Sequence, residues 1–419
     1  MAAVQTTSRS EVPGSVSRPL SQHLRDYVGR LRGGDMGSLP ATLGLVVLVL
    51  VFSALKPVFF SAGNFANLFT QGGHVVIIAM GLIFVLLLGE IDLSAGFTSG
   101  LCGAVLCVLL TDHHVVWYVS VIVSILIGTA IGFLLGFLVS KVGIPSFVVT
   151  LAAFLAFQGV VLLLLSGGRN ISVFDNVIIA VDNNNLKPWM GWLMVGICVG
   201  GYLIVQLWGL RSRAARGLAT DPLSLVALRV AAVLVIAGLA VYFLNQERSR
   251  NPLFASLKGV PIVVPIILVL LLLWSFILGR TTFGRHIYAV GGSKEAARRA
   301  GINVDRIRIA AFMISSSMAA IGGIVAVSRG RSVDPNTGGS NILLYAVGAA
   351  VIGGTSLFGG KGRIIDAVLG GAVVAVIDNG MGLLGYSAGL KYIVTGIVLL
   401  LAAAVDALSR RRAAATGVG

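Results

Sequence analysis

Apolar runs follow one another along this chain, each near the length that crosses a bilayer as a helix, and they limit what it can fold into. Twelve are readable: Leu39 to Leu55, Phe65 to Leu88, Leu93 to Leu110, Val115 to Val139, Phe147 to Leu165, Trp189 to Leu210, Leu225 to Leu244, Val260 to Leu278, Ile309 to Val327, Ile342 to Leu357, Ile364 to Leu384 and Leu390 to Leu408. Crossing about 30 Å of hydrocarbon takes roughly 20 such residues, and every backbone polar group inside must be satisfied within the helix. The predicted fold class is all-α, a polytopic membrane protein with about 10–12 transmembrane helices. The first, third and tenth runs are short, so they are tilted, broken or re-entrant.

Only 11% of the residues are charged, against about 25% in a soluble domain. A formal charge of +15 does not indicate a nucleic-acid partner, because the bases lie in short gaps between apolar runs rather than on one polar face. Lipid is the expected surrounding. With the N-terminus inside, twenty-one lysines and arginines fall on the inner side and eight on the outer. That imbalance puts both termini in the cytoplasm. Residues 1–38 then form a polar, basic cytoplasmic tail, 39–409 the membrane domain and 410–419 a second cytoplasmic tail. Arg229 and Lys391 fall inside runs, near enough to an end to snorkel.

Cys102, Cys107 and Cys198 lie within apolar runs at no metal-ligand or redox spacing and read as packing residues. Asp112-His113-His114 reads as a solvated external loop, with no further metal ligand near it in sequence. No metal site and no cofactor is assigned to the chain.

"GGTSLFGGKGR", Gly353 to Arg363, fails as a phosphate-binding loop. Thr355 stands where the first glycine is required, and Gly362 where Ser or Thr should hold magnesium. It reads instead as a tight inner turn between two membrane helices, with Gly353, Gly354, Gly359 and Gly360 permitting the reversal and Lys361 and Arg363 anchoring it.

The inner connection at 280–308 carries a second helical pattern. Ser293 caps a helix of about eight residues, Glu295 sits in its first turn, Ala296 and Ala297 follow, Arg298 and Arg299 stand near its end, and Gly301 terminates it. So short a helix is marginal in water and needs a surface to pack on. Asn303 caps the next helix. The segment is either a basic loop that serves topology alone or a docking peg for a cytoplasmic partner.

"TTFGRHIYAVGGSKEAARRAGINVDRIRIAAF", Thr281 to Phe312, resembles the coupling region of permease subunits of bacterial monosaccharide ABC importers. "GEIDLSAG" at Gly89 to Gly96 resembles their signature at the third helix, and "VIGGTSLFGGKG" their late Gly-rich turn. "IDNGMGLLG" and the ending "YIVTGIVLLLAAAVDALSRR" look most like the xylose-type branch. Two features depart from the family pattern: Glu90 stands where many relatives have a glycine, and the helix pair within 189–244 is extra to a ten-helix plan.

The resemblance implies the ABC importer permease fold in the bacterial cytoplasmic (inner) membrane. It also implies a second permease copy, two cytoplasmic ABC ATPase domains that hold the ATP and magnesium, and an extracytoplasmic sugar-binding protein. Ser293, Glu295, Ala296, Ala297, Arg298, Arg299 and Gly301 would then seat in the ATPase.

Acidic residues in a membrane raise a second function class. Glu90, Asp92 or Asp378 could carry protons in a stand-alone, proton-coupled secondary sugar transporter. The position of Glu90 and Asp92 at the inner end of a helix offers a simpler account, that Asp92 or Ser94 caps the helix starting near Leu93. Asp378 lies deep in its run, so a partner or a watery passage must meet its burial cost. Gln71, His74, Gln158 and Asn379 are the candidates to line a sugar path, or else to join helices by hydrogen bonds. A membrane scaffold without a path is the third class.

Overall fold

A computed structural model describes residues 37–218, 220–249 and 256–415. The predicted tail at 1–38, apart from its last two residues, and the last four residues of the tail at 410–419 lie outside the described residues. The chain is all-α: α1 Leu39–Leu55, α2 Ala62–Leu87, α3 Ala95–Cys107 with a wider final turn to Asp112, α4 Trp117–Phe137 with a similar turn to Val142, α5 Ser146–Leu164, α6 Asn176–Asn183, α7 Pro188–Ala214, α8 Leu223–Leu244, α9 Val263–Arg280, α10 Thr282–Gly292, α11 Lys294–Arg299, α12 Val304–Gly330, α13 Ser340–Gly353, α14 Ile364–Leu383 and α15 Ala388–Ala415. Among the described residues ten helices are long and apolar enough to cross a membrane, while α1 and α13 are apolar but shorter.

Two helices form the axis. Protein buries 83% of the apolar window of α2, against 6% for that of α7, so α2 is core and α7 faces lipid. The other axial helix is α12, which packs on α2, α3 and α4. Small residues set that closeness, as in other membrane bundles: a Cβ at Gly128 would meet the Ser316 carbonyl at 2.7 Å, and one at Gly132 would overlap the Phe312 carbonyl. The pair α7 and α8 pack chiefly on each other, with α8 also reaching α2.

Two of the short runs are helices that begin part-way through the bundle. Asp92 Oδ2 accepts a hydrogen bond from Ser315 Oγ at 2.9 Å, and Ser315 is about 17 Å along α12 from Val304 at 1.5 Å per residue. The segment after α2 therefore turns back to mid-depth before α3 starts, and α3 then runs alongside α12, with Ser99 against Gly323 and Gly103 against Val327. A second turn mirrors it. After α12, β2 (Ser332–Val333) pairs with β1 (Ile171–Ser172), and the chain then descends until Gly338 lies against Gly96 and Gly100. There α13 begins and runs on to Gly353, whose missing side chain leaves room for the Asp366 backbone.

Both turns use the same local device. Asp92 Oδ1 accepts from the Ser94 N–H at 2.9 Å, and Asp334 Oδ1 accepts from the Asn336 N–H at 2.7 Å. An aspartate that bonds two residues ahead fixes a tight turn before a helix. The hairpins α2–α3 and α12–α13 run in opposite directions, and their second helices start side by side.

Candidate functional site

At the bundle end where α10 and α11 lie, the short helix expected between Ser293 and Gly301 is present. It spans six residues, with Ser293 Oγ accepting from the Ala296 N–H at 3.2 Å. Glu295 and Arg298 pair at 3.2 Å, both well exposed. Ala296 and Arg299 are exposed too, whereas Ala297 is 3% exposed and anchors the helix. Gly301, at φ +81°, ends it with a left-handed residue, and the Ile302 N–H returns to the Ala297 carbonyl. Asn303 Oδ1 then accepts from the Arg306 N–H at 3.0 Å, which caps α12 with no slack between the two helices.

The connection at 280–308 shows no helix in the sequence before the one that Ser293 caps. In the structure it holds α10, capped by Thr281 Oγ1 on the Gly284 N–H at 3.2 Å. The signal was present in Ile287 and Val290, one turn apart and both buried. This helix supplies the surface that α11 needs.

Above the peg lies the α2–α3 turn. Glu90 accepts from Lys294 Nζ at 2.7 Å and from Arg308 Nη2 at 2.6 Å, both on Oε1. Burial raises the Glu90 carboxyl, but Lys294, Ser146 and Arg308 outweigh it, and the group is held below its ordinary value. It is therefore charged at neutral pH, locked between two cations, and not poised to carry protons. The turn is clamped from α5 as well: the Ile91 N–H donates to Ser146 Oγ at 3.3 Å, and Thr150 Oγ1 to the Ile91 carbonyl at 3.2 Å.

Of the two residues that could cap α3, Asp92 fixes the turn that leads into the helix by binding the cap residue itself. Asp92 takes the Ser94 N–H and Oγ, the latter at 2.6 Å. Ser94 occupies the cap position, yet its hydroxyl caps nothing, because it is already spent on Asp92.

The Gly-rich turn docks beneath the same place. The Gly360 N–H donates to the Leu87 carbonyl at 2.8 Å. Gly354, Gly359 and Gly360 have φ of +119°, +85° and +73°, values that only glycine adopts without strain. Gly353 is needed for a different reason, its close approach to Asp366.

Two of the four polar candidates come together. Asn379 Nδ2 donates to Gln71 Oε1 at 3.1 Å, joining α14 to α2. Arg329, at the end of α12, donates to the Gln71 carbonyl at 3.1 Å. His74 is one turn along α2 from Gln71, and its Nδ1 is buried without a partner, as is Asn379 Oδ1. Gln158 is separate. It lies half-buried on α5, which packs chiefly on α3, so a path past Gln71 and Asn379 does not include it.

Asp378 is met by a partner, Lys391 Nζ at 3.2 Å. Lys391 is thus paired rather than snorkelling, and Arg229 likewise binds Asp221 at 3.0 Å. Asp112 pairs with Arg169 at 2.6 Å.

One feature escaped the sequence. Toward the end of the bundle opposite α11, a polar pocket of about 460 Å³ is bounded by Asn64, Asn67 and Thr70 of α2, by Asp182, Asn183 and Asn185, and by Arg248. Asp182 is 2% exposed, and neither carboxylate oxygen has a hydrogen-bond partner. Burial pushes its carboxyl up to about 8, with Arg329 opposing. Nothing in the run Val181-Asp182-Asn183 reveals that burial, because it arises from packing on Ser328 of α12, whose hydroxyl accepts from the Asp182 N–H.

Crossing helices around a polar seam, with an exposed capped helix at one end, define a multi-pass membrane permease. The chain belongs to the family of branched-chain amino acid transport system permease components, which it matches over residues 64–403. It is 36% identical over 391 residues to the xylose transport system permease protein of Escherichia coli, covering 91% of this chain and 96% of that one. The corresponding protein of Haemophilus influenzae is 34% identical over 376 residues, 88% and 96% of the two chains. The ribose import permease protein of Escherichia coli is 31% identical over 364 residues, 87% and 92%. No solved structure matches the chain.

Proposed function

We propose that this permease is the membrane subunit of an ATP-driven importer that carries a pentose, xylose before ribose, into a bacterial cell across the cytoplasmic membrane. The peg carries the reading: α11 is capped, exposed on every residue but Ala297, and joined without slack to the axial helix α12. Such a helix can be gripped from outside and can move the bundle. ATP hydrolysis then belongs to a separate ATPase pair that holds the nucleotide and magnesium. A second permease copy and an extracytoplasmic sugar-binding protein complete the assembly, and both termini lie in the cytoplasm.

Names of relatives support the sugar class. Two xylose permeases and a ribose permease match along nearly their whole length. The locked state of Glu90 and the pairing of Asp378 support ATP rather than a proton gradient as the driving force.

The test is uptake by the reconstituted importer. Labelled xylose should enter proteoliposomes only with the ATPase and ATP present, and should be insensitive to a collapsed proton gradient. Uptake by the permease alone would overturn the reading. Arg298→Glu with Arg299→Glu should abolish co-purification of the ATPase from a folded permease.

A further inference from the structure

The Glu90 cluster does more than neutralise charge, because its three members belong to three moving parts. Lys294 is the first residue of the peg α11, and Arg308 lies in the second turn of α12. Glu90 is in the turn that ends two residues later at Asp92, where α3 is held at mid-depth. The Glu90 side chain is 7% exposed and that of Arg308 16%, whereas that of Lys294 is 43% exposed. One oxygen, Oε1, accepts both cations. A buried carboxylate bonded to two cations is costly to pull apart, because any separation strands a charge away from water.

The backbone beyond Glu90 is equally constrained. Ile91 is clamped through both its N–H and its carbonyl to Ser146 and Thr150 of α5. Asp92 then grips Ser94 and Ser315. A displacement of α11 therefore has a stiff route, through Lys294 and Glu90, to the start of a helix that begins inside the bundle. The axial helix α12 holds the same turn through Arg308 on Glu90 and Ser315 on Asp92, and Lys294 is the member of the cluster that ties it to the peg itself.

We propose that Glu90 is a positioning residue of the transport cycle, a charged link that makes the mid-depth start of α3 follow the peg. The link rests on the coupling reading given above, and it assigns Glu90 no contact with the sugar. It predicts that weakening the pair separates ATP hydrolysis from sugar movement while the assembly stays whole.

The experiment uses the complete importer in proteoliposomes and reads the number of xylose molecules moved per ATP hydrolysed. Lys294→Met removes the exposed arm and leaves the buried Glu90–Arg308 pair, so it should fold, and the ratio is read on importer whose ATPase content is measured alongside that of the parent. Its ratio should fall about tenfold. Glu90→Gln should do the same where it folds. The charge exchange Glu90→Lys with Lys294→Glu, which offers Arg308 and the new lysine a carboxylate from the other side, should recover at least half of the ratio.

An unchanged ratio in Lys294→Met overturns the proposal, and so does a fall that merely tracks loss of the ATPase during purification. A charge exchange that folds but recovers nothing also overturns it. Failure of the coupling reading itself looks different, since the parent permease would then bring down no ATPase.

Discussion

Asp92 and Ser315 meet at 2.9 Å across 223 residues of sequence, and their bond fixes how deep α3 begins. Asp92 is 1% exposed and also holds the hydroxyl and N–H of Ser94. Each such hydrogen bond contributes about 0.5–1.5 kcal/mol net, and a buried partner left without one costs about 1–3 kcal/mol in desolvation besides. Asp92→Ala should therefore lower stability by more than about 2 kcal/mol, with Asp92→Asn between it and the parent. Thermal unfolding of the purified permease in detergent checks this, and an unchanged midpoint for Asp92→Ala would remove the structural role.

Close packing gives a second expectation. A Cβ at Gly370 would overlap the Ala349 carbonyl, the contact that lets α13 lie against α14, while one at Gly279 meets nothing within 4 Å. Overpacking costs about 1–3 kcal/mol, whereas alanine in an exposed helix gains up to about 1 kcal/mol over glycine. Gly370→Ala should lower the unfolding midpoint and Gly279→Ala should not. Equal behaviour of the two variants would contradict the helix spacing.

These two cases mark what the sequence discloses. Hydropathy alone located the crossing helices, because lipid demands long apolar segments and nothing else in the chain resembles them. Composition also exposed the short third and tenth runs, and the structure shows why they are short: both begin at mid-depth. Depth itself was not legible, since it depends on which distant residue each turn grips. Glu90 was visible as a charge at a helix end, but its partners are 204 and 218 residues away. The helix α10 was missed because a basic, Gly-containing stretch hides two buried apolar residues. Capping by Asp92 was legible, as aspartate at a helix start has one common use. The pairing of Gln71 with Asn379 was not, because a polar residue in an apolar run announces a partner without naming it.

Asp182 supplies a pH dependence. Its carboxyl ionises near 8 in the folded chain, well above the ordinary aspartate value of about 3.9 that the unfolded chain shows. A raised carboxyl lets the folded state hold a proton that the unfolded state has lost, so its stabilising effect is complete below about 4 and disappears as pH rises through about 8. Asp182→Asn should flatten the fall in unfolding midpoint between pH 6 and 9 and raise the midpoint at pH 9 by about 2 °C or more. A parallel fall in parent and variant would mean that Asp182 is solvated in its pocket and titrates normally.

The last expectation concerns the seam where Gln71 and Asn379 meet. Asn379 is 5% exposed, and its amide spends one bond on Gln71 while Oδ1 remains open. An open, buried acceptor on Asn379, between α2 and α14, suits a passing hydroxyl better than it suits a closed helix joint, where each buried polar atom is satisfied. Asn379→Leu keeps the branched shape, heavy atom for heavy atom, but it removes both the donor and the acceptor. It should cut xylose flux through the reconstituted importer about tenfold, leaving ATPase co-purification and basal ATP hydrolysis intact. Gln158→Ala serves as the contrast, because α5 packs on α3 and away from this seam, and its flux should match that of the parent. If instead Gln158→Ala slows transport and Asn379→Leu does not, the path runs along α5, and the Gln71–Asn379 contact is a joint between helices.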